Sequence, residues 1–166
     1  MTRAAMSTTA RRLLAFAVLA SLVGCDHVTK SVAKAELEGQ GPHVLLSSLL
    51  ELRYVENRDI GFSLLSFIPE RVRFPLLVVF GAVALTVLTT VLVRRRHPPF
   101  VQAALALILA GALGNYIDRV ARGYVVDFIH ATHWPVFNVA DIWVTLGGVA
   151  LAIHALRSAR AAPTPG

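Results

Sequence analysis

The chain has 166 residues, 55% of them hydrophobic, with a mean hydropathy of +0.63 and a formal net charge of +6. A soluble domain of this length carries about 45–50% apolar residues, so the excess points to a single membrane-embedded domain over 1–166. The arginines lie beside apolar runs rather than along one polar face, which argues against a nucleic-acid partner, and the single cysteine, Cys25, excludes an internal disulfide framework and any CxxC site.

Arg3, Arg11 and Arg12 precede the first apolar run, at about 13–28. Arginines followed by LLAFAVLASLVG and Cys25 have the look of a secreted lipoprotein's signal segment, with LVGC (22–25) as its lipobox. Three further apolar runs follow, and DHVTK (26–30) continues the helix with Asp26 and Lys30 at i,i+4. Both features favour a first transmembrane helix in which Cys25 is a small apolar residue. The stretch at about 36–73 is the longest without a spanning helix. Within it LELRYVEN (50–57) alternates, placing Leu50, Leu52 and Tyr54 on one face of a short strand. GFSLLSFIPE (61–70) is apolar but too short to span, and is expected to lie in the membrane interface.

The second run, FPLLVVFGAVALTVLTTVLV (74–93), holds no charge; the third covers about 100–117 and the fourth 139–156. As helices the four runs measure roughly 24–30 Å, enough to cross a bilayer with modest tilt. Arginines before the first run, between the second and third, and after the fourth alternate with the other connections. That pattern predicts four crossings with both termini in the cytoplasm, and 36–73 and 122–134 outside. No internal repeat is present, and a short tail, AAPTPG, ends the chain.

Two aspartates carry the chemistry. Asp127 follows the third run in GNYIDRVARGYVVDFI (114–129), and Asp141 opens the fourth in FNVADIW (137–143). An ionised carboxylate at the bilayer centre costs about 2.5–3.5 kcal/mol on insertion scales, so acids near membrane helices normally have a task. Two carboxylates returning to one depth from neighbouring helices can share a proton and activate a water, which is aspartic-protease chemistry. Helix capping or pairing with an arginine is the alternative. Asn115 and Arg119, four apart, share a helix face. Arg119 either faces that site or pairs with Asp118 at the interface. Asn138, three before Asp141, either faces the site or caps the helix. Asp26 and Lys30 either contact substrate or form a structural ion pair. Gly111 and Gly114 allow close helix approach. His130 and His133 follow Asp127 as D-x-x-H-x-x-H and with Asp141 could hold zinc, but HATHWP is a proline-bounded segment rather than an H-E-x-x-H helix.

GALGNYIDR, VVDFI and FNVAD, in this order and spacing, resemble the lipoprotein signal peptidase (signal peptidase II) family of bacterial inner-membrane aspartic proteases. The resemblance covers roughly 13–156. Asp26 and Lys30 match the family's D-x-x-x-K, and Asn57 and Phe62 match its N-x-G-x-x-F; Asp59 departs from that pattern, standing where the glycine is usual. The resemblance implies a membrane α-helical fold: a four-helix bundle with a small periplasmic β-cradle and a periplasmic helix or loop over the active site. It implies Asp127 and Asp141 as catalytic pair, with Asn57, Asn115, Arg119, Asn138, Asp26 and Lys30 binding substrate or supporting the site. It also implies diacylglyceryl-modified prolipoproteins as substrates, cleaved before the lipidated cysteine without a metal or organic cofactor, by an enzyme surrounded by membrane lipid and expected to be a monomer. A zinc-dependent membrane protease and a non-catalytic adaptor or precursor-binding protein are the competing readings. Two retained aspartates speak against the latter.

Overall fold

The apolar runs fold as long helices. In the computed structural model, which describes residues 7–46, 49–59, 65, 67–94 and 97–161, they become α1 (Thr8–Leu37), α2 (Glu70–Arg94), α3 (Pro99–Arg122) and α4 (Val139–Ala161). Three strands, β1 (His43–Leu46), β2 (Leu50–Asn57) and β3 (Val125–Ala131), make one antiparallel sheet in the order β1-β2-β3. Phe62, the tail from 162, and half of the expected interfacial segment at 61–70 lie outside the described residues, and with them the element expected over the site.

Among the described residues, these four helices are long and apolar enough to cross a membrane. Their outer faces are apolar: Phe16, Val79, Phe80 and Val149 are all exposed. In water such surfaces would be a liability; against lipid they are the expected exterior.

All four helices run beyond their predicted spans, the first by the most. The first, through DHVTK as the sequence reading expects, goes on from 28 to Leu37, where Ala33 and Leu37 pack against Val126 and Phe128 of the sheet. The third continues past 117 by more than a turn, carrying Asp118, Arg119 and Arg122, until Gly123 stops it. That glycine adopts φ 81 and its N–H caps Arg119 O at 3.0 Å.

The strand at 125–131, expected only as an external connection, is the main addition to the sequence reading. Val125, Val126, Asp127 and Phe128 are all buried, so the segment shows no inside–outside alternation from which a strand could be read. β2 pairs with it along its length, placing Val55 opposite Asp127 and Asn57 opposite Val125.

α3 is the central helix. It packs on α1, α2 and α4, and α2 touches no other described element. A groove therefore opens between α2 and α4 along one side of α3. Gly81 lets α2 approach, since a Cβ there would sit 2.7 Å from the Tyr116 ring.

Candidate functional site

Chain geometry alone brings the two aspartates together. Asp127 lies in the middle of β3. After the turn at 132–134 the chain folds back so that Phe137 pairs with Ile129, its N–H donating to Ile129 O at 2.9 Å and its carbonyl accepting from the Phe128 and Ile129 amides. Asn138 follows directly, and α4 begins at Val139. Asp141 is thus in the first turn of a helix whose entry is stitched to the strand that carries Asp127.

Asn138, fully buried, joins the two ends. Its Oδ1 accepts from the Asp141 amide at 3.1 Å while its own amide donates to Asp141 Oδ2 at 3.2 Å, a reciprocal cap on α4. Its Nδ2 donates to Asp127 Oδ1 at 2.6 Å. The two roles the sequence left open for Asn138 therefore coexist. Asn57, at the end of β2, donates from Nδ2 to Asp127 Oδ2 at 2.8 Å, so both oxygens of that carboxylate receive a side-chain amide. Asn115 on α3 donates to Asp141 Oδ1 at 2.8 Å and accepts at Oδ1 from Asn138 at 3.1 Å and from Lys30 at 2.8 Å.

Burial pushes the Asp127 carboxyl up to about 6. The amide of Asn57 opposes that shift, and the nearby charge of Asp141 adds to it. A carboxyl poised there exchanges its proton near neutral pH.

Asp127, Asp141, Asn57, Asn115 and Arg119 line a cavity of about 500 Å³ whose remaining wall is apolar, including Leu77 and Leu85 of α2, Tyr116 of α3 and Val144 of α4. The cavity occupies the groove between α2 and α4, with Trp134 at its rim. A few polar groups converging in an apolar cleft is the usual form of a binding site.

Arg119 does not pair with Asp118. It donates from Nη2 to the Asp59 carbonyl at 3.0 Å and from Nη1 to Asn115 O at 3.4 Å. Asp118, one residue earlier on the helix, points to another face and is buried against Lys30. Asp26 and Lys30 are also fully buried and do not line the cavity; they form the ion pair that helical spacing offered. His130 faces away from Asp127, as a residue three along a strand must, and its Nδ1 lies 2.8 Å from Glu51 Oε1. Neither histidine lines the cavity. The sequence reading gave Asp118 only a possible pairing with Arg119 and no place beside Lys30. The signal for that place was the helical face formed by Gly111, Gly114, Asn115, Asp118 and Arg122, spaced at three and four residues.

Asp59 is buried and pairs with Arg73 of α2 at 3.1 Å, with Leu65 N also donating to it at 3.3 Å. Neighbouring Arg58 and Arg53 instead engage Glu56 with Glu70, and Glu51, respectively. Asp59 is not at positive φ, so the site does not need a glycine's left-handed conformation at this position. Asp59→Gly is expected to keep cleavage, because Arg119 grips the backbone carbonyl, but to lose about 1–3 kcal/mol of stability by stranding Arg73. Thermal unfolding and turnover of the purified variant check this; complete loss of cleavage in a folded protein would place the Asp59 carboxylate in the chemistry.

The profile of the family described as signal peptidase (SPase) II matches residues 18–157. This chain belongs to the signal peptidase II family. The match takes in α2, α3, the sheet, most of α1 and α4, and every residue of the site. Lipoprotein signal peptidases from Geobacter sulfurreducens and Paraburkholderia phytofirmans are similar throughout: the first is 37% identical over 90% of this chain and 94% of its own length, the second 38% over 81% and 80%. A bacterial membrane enzyme solved at 2.3 Å by the in meso method superposes with a TM-score of 0.78 at 25% identity, covering 92% of this chain and 93% of that one. A second, solved at 1.9 Å, gives 0.76 at 26% identity. Signal peptidase II membership makes the chain a membrane protease of lipoprotein signal peptides.

Proposed function

We propose that the chain is an aspartic endopeptidase that cleaves diacylglyceryl-modified prolipoproteins immediately before the lipidated cysteine, with Asp127 and Asp141 as its catalytic pair. The observation that carries this is the convergence of both carboxylates on one apolar cavity, each held by asparagine amides. Neighbouring buried carboxylates do not both ionise easily, so the pair holds one proton near neutral pH. The ionised member takes a proton from a water, and that water attacks the scissile carbonyl. The protonated member polarises the carbonyl oxygen and then protonates the leaving amine. Asn57, Asn115 and Asn138 hold the carboxylates, and Arg119 orients the peptide backbone. The groove between α2 and α4 opens toward lipid and admits a signal peptide and its acyl chains from the side.

In this reading 1–166 is one domain of the bacterial inner membrane, acting as a monomer without a metal or organic cofactor and without nucleic acid. Both termini are cytoplasmic, and the sheet and catalytic pair lie at the periplasmic face. The arginine distribution supports that orientation. The test is cleavage of a purified diacylglyceryl-modified prolipoprotein in detergent. Product beginning at the lipidated cysteine, formed equally well with chelator present, is the expected result. Loss of activity with chelator would favour a metalloenzyme, and binding without cleavage would leave a precursor-binding protein. A reporter fused after Glu56 should read periplasmic; a cytoplasmic signal would invert the topology.

A further inference from the structure

Lys30 is fully buried, yet it does not touch the cavity. An ammonium has three protons and no acceptor, and Nζ of Lys30 faces three acceptors: Asp26 Oδ2 at 2.8 Å, Asp118 Oδ2 at 2.9 Å and Asn115 Oδ1 at 2.8 Å. The ammonium thus hydrogen-bonds to Asn115 and is ion-paired with two buried carboxylates.

Each of those partners leads to the aspartate pair by a separate route. Asp26 accepts at Oδ1 from the amide of Ala140, the residue before Asp141, at 2.9 Å. Asp118 accepts at Oδ2 from the amide of Val126, the residue before Asp127, at 3.5 Å. Asn115 donates directly to Asp141 Oδ1 at 2.8 Å. The ammonium also decides which way the Asn115 amide points. Flipped, that amide would set its NH2 against Lys30 and against Asn138 Nδ2, and its oxygen against the Asp141 carboxylate.

We propose that Lys30 is the positioning residue of the site: through Asp26, Asp118 and Asn115 it fixes the spacing of Asp127 and Asp141 and the orientation of the amide between them. This rests on the reading of those aspartates as the catalytic pair. A merely structural ion cluster would fasten α1 to α3 and nothing more. Positioning goes further, because misplacing a reacting group by about 1 Å costs on the order of 10²-fold in rate.

Removing Lys30 alone leaves Asp26 and Asp118 buried without their common cation, and that variant risks unfolding. Lys30→Met/Asp118→Asn keeps the cluster's net charge, and an asparagine oxygen still accepts from Val126. The titratable and charged groups around the lysine are Asp26 of α1, Asp118 of α3, Asp127 of β3 and Asp141 of α4, with His27 and Arg122 beside Asp118.

The experiment measures kcat, KM and the pH profile for cleavage of a diacylglyceryl-modified prolipoprotein by purified, monodisperse enzyme in detergent. Wild type and Asp127→Asn set the scale; an inactive wild type, or an active Asp127→Asn, removes the catalytic-pair reading and is seen before any Lys30 variant is compared. With that scale in place, Lys30→Met and the double variant should each lose kcat by on the order of 10²-fold, with KM moved less than about threefold. The acid limb of the Lys30→Met profile should move up by about half a pH unit or more, since the lysine's charge favours ionised Asp127. A folded double variant with wild-type kcat and pH profile overturns the proposal. Should neither variant fold, Asp118→Asn alone decides: a drop in kcat of about tenfold supports positioning, and an unchanged kcat overturns it.

Discussion

Asp127→Asn and Asp141→Asn are each expected to lower prolipoprotein cleavage by on the order of 10⁴-fold or more, while the proteins remain inserted and folded. An amide can neither take a proton from water nor serve as a carboxylic acid, so one substitution removes both duties of the shared-proton pair. The cost to folding is small and comes from two opposing effects. Both oxygens of Asp127 accept amide hydrogens, from Asn57 and Asn138, so an asparagine there sets one NH2 against a donor, at about 1–2 kcal/mol. Against this, a buried charge is gone. The folded Asp127 carboxyl lies at about 6, above its ordinary value, so the native state holds that proton more tightly than the unfolded chain. Its contribution is therefore fully present below about 4 and is lost as pH rises through about 6. Thermal unfolding in detergent should show wild type losing stability across that window, and Asp127→Asn losing less. Turnover by either variant at more than about a tenth of the wild-type rate, at equal folded concentration, would remove the pair from the mechanism.

Gly111→Val should be the most damaging single change outside the chemical groups. A Cβ at Gly111 would run into the Ala140 carbonyl oxygen and would lie 2.8 Å from Val144 Cγ2, both on α4. The Ala140 oxygen is backbone and cannot yield without moving the helix. The expected loss is about 3 kcal/mol or more, the upper end of over-packing, together with on the order of 10²-fold in activity, because Ala140 precedes Asp141 and the strain passes straight to it. Gly148→Ala is the control: its Cβ would meet nothing within 4 Å, and alanine gains about 0.5–1 kcal/mol in a helix. Unfolding temperatures and turnover of the two variants check the pair. Equal behaviour would mean that α3 and α4 are free to part at Gly111.

Much of this molecule follows from its sequence because the membrane imposes strong local rules. The four helices are legible as apolar runs of spanning length, and strand β2 as a clean alternation at Leu50–Asn57. The site residues are legible as polar groups at the ends of apolar runs, and a family resemblance read from those motifs agrees with the family match. Tertiary structure decided the rest. Strand β3 is buried on both faces, so no periodicity marks it, and only its pairing with β2 makes 125–131 a strand. Arg119 reaches the Asp59 carbonyl rather than Asp118, and Asp59 reaches Arg73 rather than its neighbours, because partners far apart in the chain met at the head of the groove. Lys30 is the sharpest case. Sequence pairs it with Asp26 through helical spacing alone, while Asn115 and Asp118, some 85 residues away or more, become its partners only when α1 packs on α3. A local pattern reports which face of an element is apolar. It carries no information on which buried polar group will supply the remaining hydrogen bonds, because that depends on how the elements dock.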